Sequence, residues 1–299
     1  MKVKNVLILP AIFALGAFCT TISTDKKHAK TPVNTGNFKQ FESIKYVFDT
    51  LIVTDENFNN NKIEAAGIFW PYQNKISVRH FKTNSKNKNL VKYCDGQNSL
   101  MPLNLRHEQE HARKAHLTKQ TLKYTPHTRA RIAAINEIVA PCAEIIEAAD
   151  YPHKHNTQIP AHKLFTKHAT EMINKINPGA AVDFNNQTVA DIVLMCALNE
   201  FVKKTKQGLY VATIRREFNK TYEPKYTPNK ECDLLNATLF VPDINLWGPL
   251  WDFHTARGPV NLWRAASPET KQNFIQTIDR IIEQIPGKNC AFLTFQKTR

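Results

Sequence analysis

In the stretch LRHEQEHAR, His107 and His111 stand one helical turn apart and Glu108 directly follows the first. If Leu103 to Leu117 is helical, both imidazoles project from one face and can converge on a single cation. Imidazole nitrogen suits zinc, and a catalytic zinc site takes three protein ligands and keeps one position for water. Glu108 is rotated by about 100° from His107 on an ideal helix, so its carboxylate lies beside that water rather than on the metal. There it can accept a proton from the water and deliver it to a leaving amine. The expectation is therefore Zn2+ as cofactor, His107 and His111 as ligands, and Glu108 as general base. The pattern is short, and in a chain with 11 histidines it can also decorate an ordinary wet helix face, with Glu110, Arg113 and His116 beside it.

A third ligand must come from elsewhere. Glu137, in RIAAINEIVAP, falls in a second helical segment from His127 to Ala149. Two antiparallel helices joined across Thr118 to Pro126 would bring it back towards the histidines. The small residues Ala133, Ala134 and Ala140 would let the helices approach closely, and Arg129 and Arg131 could satisfy Glu110 or other acids. Glu144, two turns on along the same face, and Glu147 are the alternatives to Glu137. Pro141 cannot donate to the Glu137 carbonyl and should kink the helix.

HEQEH followed by AAINEIVA resembles the gluzincin zinc metallopeptidases, in particular the thermolysin-like group, over roughly residues 65–145. The resemblance implies His107, His111 and Glu137 as ligands and Glu108 as general base. GIFWPYQNKISV is similar to the strand–turn–strand in which that group carries an Ala-Phe-Trp edge. Phe69 and Trp70 would then pair with substrate backbone by strand addition. The resemblance also implies a histidine that steadies the transition state, and His254 in WDFHTARG is its best candidate. The chain departs from the family in a longer interval between His111 and Glu137. Pro141 also stands where an acidic residue would orient a ligand histidine. A metzincin would need a histidine at the position of Leu117.

The elements that must hold these residues read as α+β: a zincin-like fold with a small N-terminal sheet over the H-E-x-x-H helix and a helical C-terminal portion. Tyr46-Val47-Phe48 and Leu51-Ile52-Val53 are strand-like. Gly67–Trp70, a turn at Pro71 to Asn74, and Ile76–Arg79 read as a hairpin. A Lys- and Asn-rich loop follows to about Lys92. Helices are expected over about Ala161–Ile176, Gln187–Lys204 and Ser267–Ile285, the last opened by Ser-Pro-Glu-Thr. Residues 220–231 read as a loop, and Pro242–Arg264 as irregular. One domain over 38–299, in lobes of about 38–150 and 151–299, is the expected division.

Lys2, Lys4 and the apolar run Val6–Phe18 read as a signal peptide over residues 1–19, and 20–37 as a flexible mature N-terminus. The protein is then expected to be secreted or periplasmic. Cys19 hints at lipid anchoring, which the bulky Phe18 disfavours. No later segment is apolar enough to span a membrane. Of six cysteines, Cys94, Cys142, Cys196, Cys232 and Cys290 lie beyond the leader, enough for two disulfides and one thiol. A formal net charge of +14 favours anionic surfaces, but no nucleic-acid motif occurs. The expected partner is a peptide or protein substrate. The alternatives are a non-enzymatic cationic protein that binds an anionic envelope or matrix, and a catalytically silent zinc-binding relative.

Overall fold

Alternating apolar residues in GIFW and KISVRH build a hairpin. β2 (Gly67–Trp70) and β3 (Lys75–His80) pair antiparallel, Gly67 opposite Val78 and Trp70 opposite Lys75. Asn74 turns the chain at φ 50, a left-handed conformation that asparagine tolerates better than most residues. β1 (Asp49–Thr54) pairs parallel with β3 on its other side, so the order is β1-β3-β2 and β2 is an edge. The computed structural model describes residues 49–54, 65–71, 73–82, 84–118, 126–179, 181–219 and 248–285.

Ile76 and Val78 are buried with Ala112, and Phe69, Met101 and Leu105 pack around them. This cluster fastens the sheet to α2 (Met101–Thr118), the helix that carries the motif. Ahead of it, α1 (Lys88–Ser99) occupies part of the stretch expected as loop. Its sequence has few apolar residues, and only Cys94 is buried. The Asn87 side chain caps its first amides, and Asn98 exchanges bonds of 2.8 and 2.9 Å with the backbone of Phe81.

The centre of the molecule is α3 (Pro126–His155), which carries Glu137 and runs on through Pro141. Ala134, Ile138, Val139, Cys142, Ile145 and Ile146 are fully buried along it. Around it pack α4 (Leu164–Ile176), α5 (Gln187–Lys206) and α6 (Val211–Asn219), the last unforeseen in the sequence. Helix α3 passes unbroken through residue 150, where the sequence reading divides two lobes, and one apolar core draws on both sides of that point.

The segment expected to be irregular up to Arg264 is ordered from Gly248. A 3-10 turn (Gly248–Trp251) leads into an antiparallel pair, β4 (Asp252–Thr255) and β5 (Gly258–Asn261). A short turn of helix, α7 (Leu262–Ala265), precedes α8 (Pro268–Gln284). Ser267 caps α8 by accepting from the Thr270 amide at 3.1 Å, as Ser-Pro-Glu-Thr predicts. Trp251, Trp263 and Phe274 interlock with ring centroids 5.3, 5.3 and 5.5 Å apart. The fold is a predominantly helical α+β arrangement with two small sheets.

Arg131 satisfies another acid, binding Asp279 through both oxygens at 2.6 and 2.7 Å, and Arg129 donates to the Glu217 carbonyl. Glu110 is met by its own helix: Arg113 at 3.0 Å, Lys114 at 3.2 Å and Arg106 at 3.5 Å. Cys94, Cys142 and Cys196 are free thiols. Cys232 and Cys290 lie outside the described residues, as do the leader, Cys19, residues 20–37, Tyr46–Phe48 and residues 220–231. Among the described residues no helix is long and apolar enough to cross a membrane.

Candidate metal centre

Helices α2 and α3 lie side by side, and the residues singled out in the sequence meet along their contact. The Nε2 atoms of His107 and His111 are 3.1 Å apart, and the two rings stand nearly perpendicular at 74°. Burial lowers the pKa of both imidazoles, that of His111 to about 4, so both are neutral at physiological pH. Each ring is held from behind. His107 Nδ1–H donates to Glu144 Oε1 at 2.5 Å, and Asn136 Nδ2 lies 3.2 Å from His111 Nδ1.

Glu137 approaches from α3 with Oε2 4.0 Å from His111 Nε2. Burial raises its pKa, against the neighbouring His111, Lys204 and Arg216. Glu144, weighed in the sequence as an alternative ligand, instead grips the rear nitrogen of His107. Lys163 lies 2.7 Å from its other oxygen. Burial alone would raise the pKa of this carboxyl, but Lys163 and the His107 bond hold it down at about 2. It supplies the orienting acid that Pro141 cannot. Glu147, the other alternative, faces Lys154 at 2.9 Å and His155 at 3.9 Å.

Glu108 sits on the flank of α2 that faces the sheet. Its carboxylate accepts from the Phe69 backbone amide, and burial, then the charge of Glu137, pushes its pKa up to about 8. Phe69 is thus tied to the group through its backbone, while Trp70 points its indole N–H at Ser77 Oγ, 3.2 Å away. His254 lies elsewhere. It is exposed on β4, and its charged neighbours are Arg113, Arg106, Glu110 and Lys114, on the other flank of α2. The geometry gives it no part in this group.

Residues that the sequence did not single out complete the surroundings. Lys163 and Lys204 bear on His107 and Glu144, and Arg216 on Glu137. Tyr210 is buried at φ 65, a left-handed conformation strained for a bulky residue. It stacks on Phe201 at 5.6 Å, and burial together with Glu137, Glu144, Glu200 and Glu108 holds its phenol proton on. The nearest signal for it in the sequence is Gly208 in KQGLY, which marks a turn at φ 87 but not a side chain within it.

Two zinc-bound imidazole nitrogens would stand about 3.3 Å apart, so the histidine pair at 3.1 Å matches such a donor set. Glu137 stands back from that separation by roughly 0.7 Å. As placed, the described residues contain no group of three or more His, Cys, Asp or Glu side chains that could hold a metal ion. No protein-family model, curated protein or solved structure matches the chain.

Proposed function

We propose that this protein is a zinc-dependent peptidase with zincin-type active-site helices, exported through its leader. The observation that carries the reading is the histidine pair: two neutral imidazoles with facing Nε2 atoms, each anchored through Nδ1 by a side chain of the neighbouring helix. His107, His111 and, after a small approach, Glu137 would hold the ion. A zinc ion there would supply Lewis-acid polarisation of a peptide carbonyl and make a water molecule acidic.

The remaining chemistry belongs to the chain. Glu108 Oε1 and Oε2 form the only site in the proposal where a proton is held and moved, from water to the leaving nitrogen. Burial raises its pKa to about 8, so in the metal-free protein it holds a proton at neutral pH, and it would act as base once a bound cation lowered that value. β2, the edge strand among the described residues, would bind an extended backbone. Glu144 and Asn136 fix the imidazoles, and the net charge of +14 would favour acidic substrates or surfaces.

One observation favours a second reading, a metal-free polar cluster. His111 can accept from the Asn136 amide at Nδ1 and donate Nε2–H to His107, which satisfies the pair without an ion. Metal content of the purified protein separates the two. One zinc per chain is expected, lost in His107→Ala and in His111→Ala. Glu108→Gln should keep the zinc and abolish cleavage of a broad peptide library. Zinc that binds equally well to the doubly substituted protein would remove the hydrolase reading.

A further inference from the structure

Gly67 opens the edge strand β2, and its backbone is not in the left-handed region. Conformational freedom therefore does not explain a glycine here. Within a strand, glycine weakens pairing and often marks a close approach. The approach is that of Glu108. A Cβ at position 67 would lie 2.9 Å from Glu108 Cγ, 3.2 Å from Oε1 and 3.4 Å from Cδ, its three nearest neighbours.

The register shows what this closeness does. Arg79 N–H donates to Ala66 O at 2.9 Å, and hydrogen-bonded and open pairs alternate along an antiparallel ladder. Gly67–Val78 and Phe69–Ile76 are then open pairs, and the backbone groups of Gly67 and Phe69 face outward from the edge. An added strand must pair with those groups, and Glu108 already holds the Phe69 N–H among them.

We infer that Gly67 is a positioning residue: its missing side chain leaves a slot in the edge strand that seats the Glu108 carboxylate beside the row of groups receiving an extended peptide. The slot registers the proton carrier against the peptide bond to be broken. Any side chain at position 67 pushes Glu108 off the strand. The functional half of this inference rests on the peptidase reading, but the seating of Glu108 does not.

The test is a double-substitution cycle on the metal-free protein, with Gly67→Ala, Glu108→Ala and the pair. Gly67→Ala alone should lower Tm by about 2–6 °C, because the new methyl group displaces Glu108. In the Glu108→Ala background it should be neutral or raise Tm. Equal shifts in both backgrounds would overturn the inference. Hydrogen exchange of the Phe69 amide gives a second measurement, slow in the parent and fast in both single variants. If Gly67→Ala does not fold, unchanged Phe69 exchange in Glu108→Ala alone overturns the seat. In the zinc-loaded enzyme, Gly67→Ala should lose about 100-fold in kcat while KM and zinc content hold, and an unchanged kcat would refute the positioning role. Coupling without cleavage by any variant would leave the seat standing and remove the peptidase. Cleavage without coupling would do the reverse.

Discussion

His107 Nδ1 and Glu144 Oε1 are 2.5 Å apart, a charge-assisted contact between neighbouring helices that fixes which ring nitrogen of His107 is left free. With the proton committed to Nδ1, the lone pair stands on Nε2, facing His111. Outer partners of this kind typically change metal affinity by about 10–100-fold when removed. Glu144→Gln should therefore weaken zinc binding by about that factor in a competitive chelator titration, with the fold retained. Loss of one bound zinc outright would instead make Glu144 a ligand.

Asn136 offers a test of the other ring. Its Nδ2 lies 3.2 Å from His111 Nδ1, while its Oδ1 is buried with no hydrogen-bond partner. A half-turn of the amide would put the oxygen on Nδ1, make that nitrogen the donor and free Nε2 for a cation. Nitrogen-15 spectra should therefore show His111 protonated at Nε2 without zinc and at Nδ1 with it. One tautomer in both states would refute this account.

Much of this group was legible because its parts are periodic. His107, Glu108 and His111 follow from helical spacing, and GIFW with KISVRH follows from alternation and a turn. The role of Glu144 was not legible, since its spacing from Glu137 shows a shared face but not which ring atom lies within reach. Helix α1 escaped because its sequence is polar and its docking depends on Asn98 meeting Phe81. Helix α6 has only nine residues, and β4 and β5 have four each, too short to declare a period. Lys163 is a lone cation ahead of α4, and only the packing of three helices brings it to Glu144.

Stability and site can be separated at Phe274. Its ring meets Trp251 and Trp263 edge-on in the core beneath α8. Phe274→Ala should cost about 3–5 kcal/mol in urea unfolding through the cavity it leaves. Zinc affinity, measured well below the transition, should stay within about threefold of the parent. A parallel loss of both would mean that the centre depends on the whole core.

Lys114 should make stability depend on alkaline pH in an unusual direction. Its ammonium is buried, donates to the Asp252 carbonyl at 2.9 Å and lies 3.2 Å from Glu110. Burial outweighs the acid and lowers its pKa to about 8 from an ordinary 10.5. Between those two values the unfolded chain holds the proton and the folded one has released it, so this group adds stability as pH rises through the window. Below pH about 8 the folded protein carries the full cost of the buried charge. Lys114→Met removes that dependence. The stability difference between variant and parent should therefore shift in favour of the variant at pH 7 relative to pH 10, whatever its absolute sign. Thermal unfolding of both proteins across that range measures the shift, and a difference that does not change with pH would mean that Glu110 keeps Lys114 charged throughout.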